Sequence, residues 1–247
     1  MNLTTINQQK IKARETTDGA GAKISRVFPG HSLRHIDPFV LLDEFFVSAE
    51  ASFPEHPHRG FEAITYMLEG AFRHKDNLGN DSVVAAGGAQ RFSAGKEIRH
   101  AELPGTENMN HGLQLWINLP GKLKNMEPTY QQVEPEDIPK KEENGVYIRS
   151  IVCENSPLTL HTKVEYIDVE MDQGAWFEKH IPAEWNTIIY VIDNNLIFDD
   201  LTLTPGEAII GEFKNSLKVQ APERSRFVLI TGQPHNEPIR QRGSIVE

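Results

Sequence analysis

The sequence contains one cysteine, Cys153, among its 247 residues. A single cysteine cannot form an internal disulfide, and it cannot supply the several thiolates of a zinc–cysteine cluster. A metal ion bound by this chain would therefore take its ligands from imidazole nitrogen and carboxylate oxygen.

Long apolar runs are also missing. Nowhere do about 18 consecutive apolar residues occur, the minimum for a membrane-spanning helix, and the opening stretch MNLTTINQQKIKARE has no apolar segment of the kind a signal peptide carries. We therefore expect a cytoplasmic protein that does not contact membranes.

Basic residues are outnumbered by acidic ones. The chain has 25 Lys and Arg against 35 Asp and Glu, which gives a formal net charge of −10. Such a chain repels a phosphate backbone unless a local basic patch overrides the net charge. We therefore expect no direct nucleic-acid partner, whereas a protein partner remains compatible with the charge.

Helical periodicity is scarce, and strand-like segments dominate. Short runs rich in β-branched and aromatic residues are separated by Gly, Pro, Asn and Asp; examples are residues 63–68 (AITYML), 112–118 (GLQLWIN), 187–192 (TIIYVI) and 226–230 (RFVLI). This pattern predicts an all-β protein with little helix, arranged as a sandwich or barrel.

A weak internal repeat predicts two copies of one β unit. Residues 64–76 (ITYMLEGAFRHKD) align with 188–200 (IIYVIDNNLIFDD), and residues 84–92 align with 203–211. Between the copies lies a polar stretch of mixed charge (EPEDIPKKEENG), typical of a linker. We therefore predict an N-terminal domain over residues 1–133, a linker over 134–145 and a C-terminal domain over 146–247.

Two pairs of potential metal ligands lie in the first copy: His56 with His58, and His100 with Glu102. On a strand, side chains at i and i+2 point to the same face, so each pair can direct both ligand atoms into one cavity. Histidines two apart also occur on solvated strand faces, which is the alternative for either pair alone. Four protein ligands on an octahedral ion would leave two positions for substrate or dioxygen.

Several segments resemble the pirin family of bicupin proteins. They are residues 56–62 (HPHRGFE), 93–104 (SAGKEIRHAELP) and 111–120 (HGLQLWINLP), flanked by 37–45 (DPFVLLDEF) and 230–238 (ITGQPHNEP). The resemblance implies two jelly-roll-like β-barrel domains. It also implies a mononuclear metal held in the first domain by His56, His58, His100 and Glu102. Fe(II) is the metal the resemblance implies, and Mn, Ni, Cu, Co and Zn suit the same ligand types.

Two carboxylates compete for the catalytic role. The wider cupin pattern takes its acidic ligand from a Glu soon after His-x-His, which would be Glu62, whereas the pirin pattern uses Glu102. We rank Glu102 first, as a ligand and as an acceptor for the substrate's proton. Glu62 keeps the strand parity of His58 if the strand continues unbroken, which would make it a general base or a partner of the ligands. A structural, hydrogen-bonded Glu62 is an equal alternative.

The second copy carries no matching ligand set. Glu178, Lys179 and His180 occupy the place of the first pair, and Leu217, Val219 and Ala221 occupy the region of the second. The remaining histidines are interpreted as solvent-facing or hydrogen-bonded rather than as ligands; they are His31, His35, His74, His111, His161 and His235. His111 is the one nearest to the predicted site along the chain.

The resemblance implies an iron-dependent quercetin 2,3-dioxygenase activity, in which dioxygen cleaves a flavonol or a related enediol. Substrate and dioxygen would then be the small-molecule partners. The alternative is an iron-dependent regulatory protein that binds a transcription factor or a metabolic enzyme. A metal-dependent isomerase acting on another oxygenated metabolite is a third possibility.

Overall fold

A computed structural model describes residues 8–213 and 216–247 of the chain. Their regular secondary structure is strand apart from one 3₁₀ turn at Gly121–Leu123, which confirms the all-β prediction. No helix within the described ranges is long and apolar enough to cross a membrane.

The described residues form 24 strands. In chain order these are β1 (Gln9–Lys12), β2 (Arg14–Asp18), β3 (Ala22–Phe28), β4 (Phe39–Val47), β5 (Phe53–His58), β6 (Phe61–Glu69), β7 (Ala71–Asp76), β8 (Asp81–Ala85), β9 (Ala89–Ser93), β10 (Ile98–Pro104), β11 (Asn110–Asn118), β12 (Thr129–Val133), β13 (Lys140–Glu143), β14 (Val146–Val152), β15 (Val164–Met171), β16 (Trp176–His180), β17 (Asn186–Asp193), β18 (Leu196–Phe198), β19 (Leu201–Leu203), β20 (Glu207–Glu212), β21 (Ser216–Gln220), β22 (Ser225–Gly232), β23 (Gln241–Arg242) and β24 (Ile245–Val246).

The chain divides into two compact units. The unit that we call the N-terminal barrel comprises residues 14–138, 157–162 and 235–247. It has a seven-stranded sheet in the order β12-β9-β6-β11-β4-β3-β2 and a four-stranded sheet in the order β5-β10-β7-β8. The short pair β23-β24 also belongs to it.

The second unit, which we call the C-terminal barrel, contains residues 139–156 and 163–234 together with strand β1. Its sheets run β1-β20-β17-β22-β15-β14-β13 and β16-β21-β18-β19. Apart from the edge strands β12 and β1, which come from different places in the chain order, this is the order of the N-terminal barrel. The aligned segments 64–76 and 188–200 begin in the equivalent strands β6 and β17. The repeat seen in the sequence is therefore a repeat of one topology.

The interiors of the two barrels differ in chemistry. Among the described residues, an apolar cluster fills the C-terminal barrel, and Leu217, Val219 and Ala221 contribute fully buried side chains to it. In the described part of the N-terminal barrel, smaller apolar clusters lie around Phe61 and around Phe72. Burying histidine and carboxylate side chains among them costs free energy unless those groups are paired.

Candidate metal centre

Strands β5 and β10 pair antiparallel and bring the histidines together. His56 lies directly opposite His100, and His58 lies opposite Ile98. Ligand atoms of His56, His58 and His100 all lie within 4.8 Å of one another. Alternate residues of a strand share a face, so His56 and His58 lie on the same side of β5, and the register places His100 opposite His56.

The two nearest imidazoles are those of His56 and His100, whose Nε2 atoms are 3.2 Å apart. Two nitrogen ligands about 2.1 Å from an octahedral ion lie about 3.0 Å from each other. The separation in this structure is therefore close to that of two ligands sharing one ion.

The hydrogen bond of His56 determines where its proton lies. Its Nδ1 is 2.7 Å from the carbonyl oxygen of Pro54. A carbonyl oxygen only accepts, so Nδ1 carries the hydrogen and the lone pair of neutral His56 is on Nε2, facing His100.

A row of hydrogen-bonded side chains behind His100 determines in the same way which of its nitrogens carries the hydrogen. The Asp76 carboxylate accepts from Nε2–H of His74 at 3.0 Å, which leaves the lone pair of neutral His74 on Nδ1. That nitrogen is 3.3 Å from Nδ1 of His100, which must therefore be the donor. Neutral His100 then has its lone pair on Nε2, facing His56.

The hydrogen-bond pattern thus places two lone pairs opposite each other at 3.2 Å. Two lone pairs repel, so a positive charge between the nitrogens, either a proton or a metal ion, would stabilise this arrangement. Burial opposes the proton: desolvation, reinforced by the neighbouring histidines, lowers the pKa of His100 well below its ordinary value. The residues present therefore fit a metal ion.

His58 is prepared for the same role. Burial first, and then the neighbouring His56, lowers the pKa of His58 to about 3. Its ring stacks on Phe92 at 5.2 Å and meets the edge of Trp116 at 5.0 Å. His58 is therefore neutral at pH 7, which is the form that binds a metal.

Glu102 lines the same cavity as His56 and His58 but is held by other side chains. Its Oε1 accepts from Thr65 Oγ1 at 3.1 Å and from Gln90 Nε2 at 2.9 Å, and its Oε2 accepts from Gln114 Nε2 at 3.0 Å. Glu102 lies within 4.8 Å of His74 and His100 in a second potential ligand group. The carboxylate accepts three hydrogen bonds, and its oxygens can still bind a metal ion or a proton.

Glu62 lies elsewhere. Strand β5 ends at His58 and β6 begins at Phe61, with Gly60 at a φ of +77° between them, so the strand does not continue and the parity argument does not apply. The Glu62 carboxylate is fully buried and accepts from Ser93 Oγ at 2.6 Å and from the backbone N–H of His161 at 2.9 Å. It is not among the residues that line the cavity. This placement favours the structural alternative for Glu62.

The cavity beside the histidines has a volume of about 430 Å³. Apolar and aromatic side chains form part of its wall, and a set of charged side chains forms another part. The apolar part is Leu41, Phe45, Phe53 and Trp116; the charged part is Asp18, Arg26, Arg34 and Asp43. A cavity of this size with a few convergent polar groups suits a small organic molecule.

Two charged side chains of that cluster form a tight pair. Arg26 donates to both oxygens of Asp43, at 2.9 Å from Nε and 2.6 Å from Nη2. Burial nevertheless raises the pKa of Asp43 to about 6, because desolvation outweighs the attraction of Arg26.

Other histidines have hydrogen-bond partners, as the sequence interpretation expected. His111 Nε2 lies 2.8 Å from Glu44, and His161 Nδ1 lies 2.9 Å from Glu62. His74 differs from these because it is fully buried and contacts a predicted ligand. The only local signal for it was the spacing of His74 and Asp76, which repeats the two-residue interval of the ligand pairs.

Known proteins show the same family and fold. The Pirin family profile matches residues 21–117, and the profile of the Pirin C-terminal cupin domain matches residues 166–247. A pirin-like protein of Solanum lycopersicum is 40% identical over 96% of this chain and 85% of its own length. The pirin of Homo sapiens is 39% identical over the same shares.

Solved structures agree with these matches. The crystal structure of a quercetin 2,3-dioxygenase from Acinetobacter baumannii superposes with a TM-score of 0.88 and 27% identity, covering 96% of this chain and 90% of that one. The bacterial pirin YhhW of Escherichia coli, solved in complex with nickel(II), superposes with a TM-score of 0.78 and 21% identity, covering 92% and 100%. Profiles, relatives and fold agree that this chain belongs to the pirin family and is a bicupin.

Proposed function

We propose that the N-terminal barrel binds one divalent metal ion through His56, His58, His100 and Glu102. The observation that carries this proposal is the close approach of two buried imidazole nitrogens, the Nε2 atoms of His56 and His100, at 3.2 Å. His58 and Glu102 border the same cavity and supply the further nitrogen and oxygen ligands.

The proposed metal in the cell is Fe(II). Three imidazoles and a carboxylate bind several first-row ions, and geometry alone does not separate them. The bacterial pirin YhhW of Escherichia coli was solved in complex with nickel(II), which supports a divalent ion as the occupant. Ni²⁺ is therefore a suitable probe for the site, and Fe²⁺ is the ion for the activity assay.

The proposed reaction is the dioxygenase cleavage of a flavonol such as quercetin, or of a related enediol. A bound ferrous ion supplies the Lewis acidity and the redox chemistry that dioxygen requires. Leu41, Phe45 and Trp116 offer an apolar wall for a flat aromatic ring. Glu102 accepts the proton that the substrate's hydroxyl releases, and Gln114 holds that carboxylate in place at 3.0 Å.

The assay uses the full chain, stripped with a chelator and reloaded with Fe²⁺ without oxygen. Quercetin and oxygen are then added, and flavonol loss and carbon monoxide release are measured. Wild-type protein should turn over, whereas His56→Ala and Glu102→Gln should lose both metal and activity. His180→Ala is the matched control, since His180 is an exposed histidine of the C-terminal barrel.

Two results would contradict parts of the proposal. Stoichiometric metal in both His56→Ala and Glu102→Gln would refute the site itself. Stoichiometric Fe²⁺ in the wild type without loss of any tested flavonol or enediol would refute the dioxygenase, and it would favour the regulatory alternative with a protein partner.

A further inference from the structure

His74 and Asp76 lie behind the metal centre on strand β7. In the pairing of β7 with β10, His74 is opposite Glu102 and Asp76 is opposite His100. Both side chains are fully buried. An imidazole and a carboxylate this deep in a barrel cost free energy to bury unless hydrogen bonds compensate.

Asp76 is held in one orientation by four donors. Its Oδ1 accepts from the backbone N–H groups of Leu78 at 2.9 Å and Asn80 at 3.0 Å. Its Oδ2 accepts from Asn80 Nδ2 at 2.8 Å and from His74 Nε2 at 3.0 Å. The carboxylate is therefore a fixed acceptor aimed at His74.

The imidazole of His74 is equally constrained. Its ring stacks on Tyr130 with a centroid separation of 4.4 Å and an interplanar angle of 17°. In the neutral imidazole with Nε2–H bound to Asp76, the other nitrogen accepts, and the atom opposite it is Nδ1 of His100.

We propose that His74 and Asp76 are positioning residues that select the tautomer of His100, keeping hydrogen on Nδ1 and the Nε2 lone pair directed at the metal. The inference rests on the metal site proposed above. A partner that orients a ligating histidine contributes to metal affinity without touching the ion.

The substitution Asp76→Asn tests this proposal because it should reverse the donor and acceptor nitrogens of both His74 and His100. The two backbone donors at Oδ1 require an acceptor, so the new amide oxygen faces them and its NH₂ group faces His74 and Asn80, whose side-chain amide must turn its oxygen toward that group. His74 then accepts at Nε2, donates from Nδ1, and shifts the hydrogen of His100 to Nε2. That hydrogen can bond to the Nε2 lone pair of His56, so the metal-free protein loses the lone-pair repulsion while metal binding becomes harder.

The measurement is the tautomer of His100 in metal-free protein, read from long-range ¹⁵N–¹H correlation of histidine-labelled full chain and assigned with His100→Gln. Ni²⁺ affinity is measured by calorimetry. Wild type should carry hydrogen on Nδ1. Asp76→Asn should carry it on Nε2 and bind Ni²⁺ about 10- to 100-fold more weakly. Asp81→Asn removes the same charge from an exposed site on β8 and should leave both properties unchanged.

A wild-type His100 with hydrogen on Nε2 would overturn the inference, as would an Asp76→Asn protein whose His100 tautomer is unchanged. If Asp76→Asn does not fold, His74→Phe replaces it, because phenylalanine keeps the stack on Tyr130 and removes the acceptor. His100 should then shift its hydrogen to Nε2 and pair with His56; a retained Nδ1–H would count against this proposal. Failure of wild type to bind Ni²⁺ would refute the metal site, whereas the tautomer is read without metal.

Discussion

The backbone N–H of Val246 donates to the carbonyl oxygen of Arg59 at 3.0 Å, and the N–H of Arg59 donates to Ser244 at 3.3 Å. Arg59 directly follows His58, a proposed ligand, and Ser244 lines the same cavity as His58. The segment that leads into strand β24 therefore forms part of the wall of the cavity beside the candidate metal centre.

Gly60 is the residue that permits this contact. Its φ is +77°, and a Cβ built there would overlap the carbonyl oxygen of Val246. Gly60→Ala should therefore introduce both backbone strain and a steric clash. The clash should displace β24 and expose the backbone of Ser244 and Val246 to solvent.

Gly79→Ala separates the two effects, because Gly79 has a φ of +94° and open space around its Cβ position. We expect Gly79→Ala to lower the free energy of unfolding by about 1–2 kcal/mol from strain alone. Gly60→Ala should cost about 1–3 kcal/mol more from overpacking. Urea unfolding measures the two free energies of unfolding, and hydrogen exchange of residues 244–246 reports whether β24 is displaced. Equal losses of unfolding free energy in Gly60→Ala and Gly79→Ala would contradict the role of the contact between Gly60 and Val246.

Acidification should destabilise the metal-free protein through His58. Its pKa is lowered to about 3 in the folded protein, against about 6.5 in an unfolded chain. Between these values the unfolded chain binds more protons, so stability falls as pH falls from about 6.5. The slope from one such proton is about 1.4 kcal/mol per pH unit.

His58→Phe removes the imidazole that binds this proton and keeps an aromatic ring against Phe92 and Trp116. The free energy of unfolding of metal-free wild type and variant is compared between pH 5 and pH 7. The free energy of unfolding of the variant should depend less steeply on pH, by up to about 1.4 kcal/mol per pH unit, which is the contribution of one proton. Parallel slopes would mean that His58 is not buried as a neutral imidazole.

The pair of His161 and Glu62 should have the opposite pH dependence. The hydrogen bond to Glu62 outweighs desolvation and raises the pKa of His161. Stability from this pair is therefore fully present below about pH 6.5, the unfolded value, and declines as pH rises through the raised folded value. Because His161 is about one-third exposed, the effect should be about 1 kcal/mol or less.

His161→Gln tests this sign. The loss of unfolding free energy relative to wild type should be larger at pH 6 than at pH 9. His180→Gln, at an exposed histidine of the other barrel, serves as the comparison. A His161→Gln loss that grows with pH would contradict the assignment.

Strand parity explains what the sequence could predict about the site. His56, His58 and His100 converge because the pairing of β5 with β10 is regular from Ile98 to His100, before the register shifts ahead of Glu102, and it places His56 opposite His100. The same rule failed for Glu62 because it required an unbroken strand, and the chain turns at Gly60. A glycine after a strand ending in proline and histidine was the one local sign of that break.

The partners of the ligands were harder to predict. His74 and Asp76 contact the site only through the pairing of β7 with β10, and the donors to Glu102 come from β6, β9 and β11. Pairing between distant strands depends on the whole sheet, so one sequence without its fold does not assign these neighbours. The repeat nevertheless predicted the topology, since its aligned segments begin in equivalent strands of the two barrels.

Metal binding should stabilise the folded N-terminal barrel, because the ligands converge only there. An ion present at 100 times its dissociation constant adds about 2.7 kcal/mol to the free energy of unfolding if the unfolded chain does not bind it. Wild type should show this increment between chelator and Ni²⁺, and His100→Ala should lose it. His111→Ala, which removes a histidine bonded to Glu44 outside the ligand cluster, should keep it even if its baseline stability falls. An increment that survives in His100→Ala would place the ion elsewhere, because His100 is the one histidine shared by both potential ligand groups among the described residues.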